Sequence, residues 1–305
     1  MRWTTKARIQ RALSRTPGGE AIYYLGQRYV GGFRRFSIDS KVRQGLSLLE
    51  CLSDLGETVK GRRAMELGTG WAPIVPTLFW LYGQEHCDTY DTSRLLKHAF
   101  VRETARQLSE MCAAGQIQID DLDFEKRLRS LRDLAAQGKR GDELLCACGV
   151  DYHAPSSAAA TMLADNSVDL VYSNTVLEHV PRGEVRQLFG EFHRILRSGG
   201  YMLHLIDVSD HFAHSDPSIS SINFLQYSED SFSRYNSRFI FQNRLRPEAW
   251  RKLISEHGFK IVYWKTKIDE GALSNLSKMR LDDAFADLSA EEICSGSIRV
   301  VAQKP

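Results

Sequence analysis

Four residues carry the most specific chemistry in the chain: Glu66, Gly68, Gly70 and Asp91. Glycines at a strand-to-helix turn let the backbone approach a ligand where a Cβ would collide. Arg62 to Leu67 is a short apolar run and predicts the strand before that turn. His86 to Tyr90 predicts a second strand, and Asp91 stands at its end. An acid at that place can accept hydrogen bonds from both hydroxyls of a ribose. A dinucleotide site asks for a third glycine where this chain has Pro73. Glu66 would also repel a pyrophosphate and attract a cation. S-adenosylmethionine has a ribose, a sulfonium and an ammonium but no phosphate, so the charges favour it over NAD. Trp71 can either wall such a pocket or pack on the first helix.

A second group is rich in imidazole. His179 follows the predicted strand Val168 to Tyr172, and His211 and His214 follow the strand Tyr201 to Ile206 among Asp207, Asp210 and Asp216. Histidine titrates near neutrality and can take a proton from an acceptor. The spacing in this loop is irregular, and no metal is assigned to it. Arg244 and Arg246 flank a helix opening at Pro247, and read as surface arginines ahead of anion-binding ones.

The elements that must hold these residues alternate. Strands are expected at 62–67, 86–90, 150–153, 168–172, 201–206, 259–264 and 297–302, with helices between them. That pattern implies a doubly wound, mostly parallel seven-stranded sheet of Rossmann-like type, covered on both faces. Residues 1–60 form an N-terminal helical arm and 61–305 the main domain. Two stretches exceed the scaffold: a helical insert at 94–149 and a loop region at 208–246. That loop holds Phe212, Phe224, Tyr227, Phe232, Tyr235, Phe239 and Phe241, which argues for an ordered lid over an acceptor pocket.

The segment Glu66-Leu67-Gly68-Thr69-Gly70, the acid Asp91, the run Ser167 to Asn174 followed by Val176 to Val180, and Arg194 to Gly200 resemble class I S-adenosylmethionine-dependent methyltransferases of the small-molecule branch. The resemblance implies that Glu66 holds the amino group of the methionine part. It implies that Gly68 and Gly70 pass beneath that part, that Asp91 binds the ribose and that Asn174 lies beside the methionine. Ala72 replaces a glycine common in the family, and no acid follows the third strand at the usual adenine position. Thr161 and Met162 are therefore the expected adenine contacts. The implied reaction is methyl transfer to oxygen, ahead of nitrogen, of a small molecule or glycan building block. The alternatives are an inactive binding protein of the same fold and an NAD-linked dehydrogenase.

Bulk properties set outer bounds. Of 305 residues, 43% are hydrophobic and 26% charged, which is globular rather than disordered composition. The net charge is +2, but residues 1–63 carry +8 and the remainder −6. A solvated basic arm is the expected reading of that asymmetry. Nucleic acid is disfavoured; the interleaved aromatics and arginines of 208–246 are its support, with Arg34 and Arg35 of the arm the only other. No apolar run is long enough to cross a membrane. The six cysteines make no C-x-x-C pair, so neither a zinc site nor a disulfide framework is signalled. Reduced thiols and a cytoplasmic location are the expectation. Oligomeric state is left open.

Overall fold

The computed structural model describes residues 1–19, 22–23, 25–26, 36–117, 119 and 121–305. Arg34 and Arg35 lie outside the described residues. Seven strands form one sheet: β1 (Arg63–Leu67), β2 (His86–Tyr90), β3 (Val150–His153), β4 (Val168–Asn174), β5 (Leu196–Asp207), β6 (Lys260–Ile268) and β7 (Ser295–Gln303). Their order is β3-β2-β1-β4-β5-β7-β6. The first five run parallel, and β7 lies antiparallel between β5 and β6. This is the expected Rossmann-like α/β sheet. The strand order reverses between β1 and β4, which opens a crevice at their carboxyl ends.

The central strands are buried on both faces, so neighbouring residues serve opposite layers. Ala64, Leu170 and Leu203 face one core, with α2 (Asp39–Ser53), α3 (Ile74–Leu81) and the insert helices α4 (His98–Ala113), α5 (Leu122–Ala136) and α6 (Gly141–Ala147). Met65, Val171 and Met202 face the other, with α7 (Arg182–Ile195) and α9 (Pro247–Glu256). Every residue of α3 is buried, as befits a helix apolar all round. Among the described residues no helix is long and apolar enough to span a membrane. The six cysteines are free thiols.

A third apolar cluster joins the two ends of the chain. Helix α1 (Trp3–Arg15) sits on the loop region after β5. Trp3 is 6% exposed and packs on Phe212 and Tyr235, with ring centroids 5.3 and 4.6 Å away. Its backbone N–H donates to Asp216 Oδ2 at 2.8 Å. The basic arm is thus docked at its start rather than simply solvated, and α2 within it brings Val42, Leu48 and Leu52 into the main core. The short helix α8 (Glu229–Ser233) lies in the same region.

Arg244 and Arg246 correct the surface reading: both are buried. Arg246 donates to the carbonyls of Val208, Glu292, Ile293 and Ser295. Arg244 donates to those of Phe224 and Tyr227 and to Glu229. Loop carbonyls without a ladder need donors, and a guanidinium supplies five. These arginines fasten the loop region and do not face the crevice.

Candidate active site

The crevice between β1 and β4 opens into a cavity of about 900 Å³. That is the upper range of ligand pockets, with room for a nucleoside-sized molecule and a second one beside it. Glu66, Gly68, Gly70, Trp71, Asp91, Asn174 and His179 all line it. Strand pairing explains the meeting of residues more than 100 positions apart. Glu66 is in register with Tyr172, so the ends of β1 and β4 converge at Glu66 and Asn174.

Both glycines adopt conformations that disfavour other residues. Gly68 has φ +82°, and a Cβ there would meet the Val176 side chain at 2.6 Å. Gly70 has φ +66°, and the space where a Cβ would project is open. The Gly70 N–H donates to Asp91 Oδ2 at 3.0 Å, and the Ser93 N–H donates to Oδ1 at 3.0 Å. The glycine turn thereby orients the acid, and each oxygen keeps a lone pair for a ligand hydroxyl. Burial raises the Asp91 pKa, against those two backbone bonds.

Glu66 is 3% exposed and accepts a hydrogen bond from Thr89 Oγ1 at 2.6 Å. Burial is the main cause that pushes its pKa up to about 8; Thr89 and the Lys41 charge pull the other way. Among the described residues no cation forms an ion pair with this carboxyl; Lys41 acts on it through space. Asn174 is 8% exposed, and its amide nitrogen and oxygen are both buried with no hydrogen-bond partner among the described residues. Buried amides are nearly always paired, so this one is an exception, and it lies on the cavity wall. Thr175 follows at φ +55°, a costly conformation for a β-branched residue. Its hydroxyl accepts from Lys41 Nζ at 2.6 Å.

Thr161 and Met162 do not reach the cavity. Thr161 is buried and bonded through its N–H and its hydroxyl to Glu191 Oε1, at 2.8 and 2.5 Å. Met162 is 96% exposed. Their segment instead places Ser156 and Ala158 on the wall, beside Tyr90 and Leu95.

His179 sits at the mouth. Its Nδ1 lies 2.7 Å from the carbonyl oxygen of Phe241. That bond needs a proton on Nδ1, which leaves Nε2 as the free lone pair. Part of the ring faces the open side, yet the surrounding protein lowers its pKa to about 4, first by desolvation and then through His211. The His211 ring stands 4.7 Å from that of His179, and the His214 ring stacks 5.1 Å from His211. Asp207 Oδ2 lies 3.5 Å from His211 Nε2 and 3.8 Å from His214 Nε2. The Asp207 pKa falls to about 2, its burial outweighed by bonds from His211 and Ser209. His214 is exposed.

The region 208–246 contributes none of the described lining residues. Phe212, Phe224, Tyr227, Phe232 and Tyr235 pack instead in the cluster shared with Trp3 and Ala7 of α1 and with Ala272, Ile293 and Cys294. The wall over the crevice comes from Phe36, Ser37, Asp39, Ser40, Lys41 and Arg43, at the start of α2. Sequence reading missed this wall, and it quoted Glu178 only within the run Val176 to Val180, without a role. No local pattern singles out the wall, because its residues reach the site through contacts between distant segments, as from Lys41 to Thr175.

Residues 100–204 match the family model described as a methyltransferase domain. The match runs from α4 to β5 and includes Asn174 and His179; Glu66 to Asp91 lie before it. No curated protein matches the chain significantly in sequence. Among solved structures, an S-adenosylmethionine-dependent methyltransferase from Mesorhizobium loti shares 14% identity, over 83% of this chain and 96% of that one, with a TM-score of 0.45. A geranyl diphosphate C-methyltransferase from Streptomyces coelicolor A3(2), in complex with Mg2+, geranyl diphosphate and S-adenosyl-L-homocysteine, shares 12%, over 87% and 79%, with a TM-score of 0.47. A phosphoethanolamine N-methyltransferase 2 from Haemonchus contortus, in complex with S-adenosyl-L-methionine, shares 15%, over 85% and 52%, with a TM-score of 0.47.

Proposed function

We propose that this chain, which carries a methyltransferase domain, transfers the methyl group of S-adenosylmethionine to an oxygen, ahead of a nitrogen, of a small molecule or glycan building block. The observation that carries the reading is the unpartnered amide of Asn174 opposite Glu66 and Asp91 in one cavity. Glu66 suits the ligand's ammonium, Asp91 its ribose, and the bare backbone at Gly70 its methionine part. Trp71 walls the same space. An NAD pyrophosphate would instead be set against Glu66.

S-adenosylmethionine supplies, when bound, a methyl carbon already activated by its sulfonium. The protein's work is then alignment, exclusion of water and handling of one proton. An acceptor hydroxyl must lose its proton as its oxygen gains the methyl group. That task falls to the imidazoles at the mouth, with His179 on the cavity wall, His211 behind it and exposed His214 leading to solvent. Calorimetry with S-adenosylhomocysteine and with NAD tests the reading. Binding of the first and not the second is expected; the reverse would overturn it.

A further inference from the structure

The carboxyl next to His179 has no assigned task. Glu178 is 3% exposed, and neither oxygen has a hydrogen-bond partner among the described residues. His211 Nε2 is buried and faces only the Asp207 carboxylate, 3.5 Å away, among the described residues. Ligand atoms of Glu178, His179 and His211 all lie within 4.8 Å of one another. Lys41 bonds the Thr175 hydroxyl and acts on the Glu178 carboxyl through space, without a hydrogen bond to it. Two imidazoles and one carboxylate form the donor set of open-sited first-row divalent cations.

We propose that Glu178, His179 and His211 hold a divalent first-row transition-metal ion at the mouth of the cavity, where it meets the acceptor's hydroxyl. The proposal rests on the methyltransferase reading and replaces direct proton uptake by His179 and His211, whose lone pairs would hold the ion instead. A histidine ligand usually donates its other ring N–H to a carbonyl or carboxylate, and His179 has that arrangement with Phe241 at 2.7 Å. Asp207, 3.5 Å from His211 Nε2, supplies further negative charge. Three protein ligands leave a position for the acceptor. A hydroxyl bound there is more acidic, so its O–H bond breaks at neutral pH and the proton leaves to water at the open mouth. The oxygen's electron pair forms the O–CH₃ bond. The C–S bond breaks with its pair staying on sulfur, which becomes a neutral thioether.

A second cluster, His86, Asp88 and Asp151, is the natural control. Asp88 there is already paired with His86 at 3.2 Å and His153 at 2.9 Å, and none of the three residues lines the cavity. The experiment titrates chelator-stripped full-length protein with Co²⁺ and follows its visible absorption, with Zn²⁺ in competition. One Co²⁺ per chain is expected, with bands of nitrogen and oxygen ligation. Glu178→Gln and His211→Ala should each weaken binding about ten- to a hundred-fold, and His86→Ala should leave it unchanged. Circular dichroism checks that each variant is folded, and His211→Ala keeps the test open if Glu178→Gln is not. Absent stoichiometric binding, or binding lost in His86→Ala and kept in the other two, overturns the metal site. S-adenosylhomocysteine affinity of the stripped wild type separates the two failures: if it persists without metal binding, only the metal proposal falls.

Discussion

Replacing Glu66 by glutamine separates two effects of one buried carboxyl. The unfolded chain ionises it near the ordinary value of 4.5, whereas the folded protein holds the proton until about pH 8. Between those values the native state binds more protons than the unfolded state, so stability falls as pH rises through that window. Integrated to pH 7, the loss is about 3 kcal/mol relative to acid conditions, as an upper bound. Glutamine keeps an oxygen for Thr89 and never ionises. Its advantage over wild type in the ligand-free protein should therefore grow by roughly that amount between pH 4 and pH 7, read by urea denaturation. Cofactor binding should move the other way. A ligand ammonium favours the ionised form, so the wild type should release about 0.9 proton on binding at pH 7. Loss of a charge-assisted bond should weaken S-adenosylhomocysteine by about 1.5–3 kcal/mol in the variant. Calorimetry in buffers of different ionisation enthalpy measures both quantities. Buffer-independent heats, together with unchanged affinity in Glu66→Gln, would refute the placement of the ammonium.

Asp91→Ala should weaken S-adenosylhomocysteine by about 1–3 kcal/mol, because the ribose hydroxyls lose their acceptor; equal calorimetric affinity would defeat that assignment. Gly70→Val should abolish cofactor binding, and its φ of +66° should add a stability loss of about 1–3 kcal/mol while the circular dichroism of a folded chain remains. A variant that binds normally would make the turn merely structural. Met162→Ala should leave cofactor affinity unchanged, since the side chain is almost fully exposed; a tenfold loss would return it to the adenine site. Trp3→Ala should cost about 3 kcal/mol of stability by emptying the contact with Phe212 and Tyr235. Its S-adenosylhomocysteine affinity should not change, and a marked drop would show that α1 is coupled to the crevice.

The features legible in the sequence are those carried by neighbours in the chain. Short strand-like runs between turn residues place β2 at His86–Tyr90 and β3 at Val150–His153, and a helical stretch bounded by glycines places α5 at Leu122–Ala136. The glycine turn is likewise contiguous: backbone geometry at Gly68 and Gly70 is a local demand, and Asp91 follows at the end of the next strand. Strand β6 runs longer than its apolar core suggests because pairing with β7 carries it through Lys265–Ile268, and β5 starts earlier because Leu196 pairs with Val168 of β4. What covers the cavity was settled only by packing. The aromatic loop after β5 carries the composition of a lid, yet it buries its apolar surface against Trp3 and Ala7 of α1 and against residues between 268 and 294. The crevice is walled by 36–43 instead, where no aromatic density advertises the role. Lys41 bonds Thr175 across 134 positions, and Arg246 bonds Ser295 across 49. Such contacts depend on where whole elements dock, and a local pattern holds no record of a partner that distant in the chain.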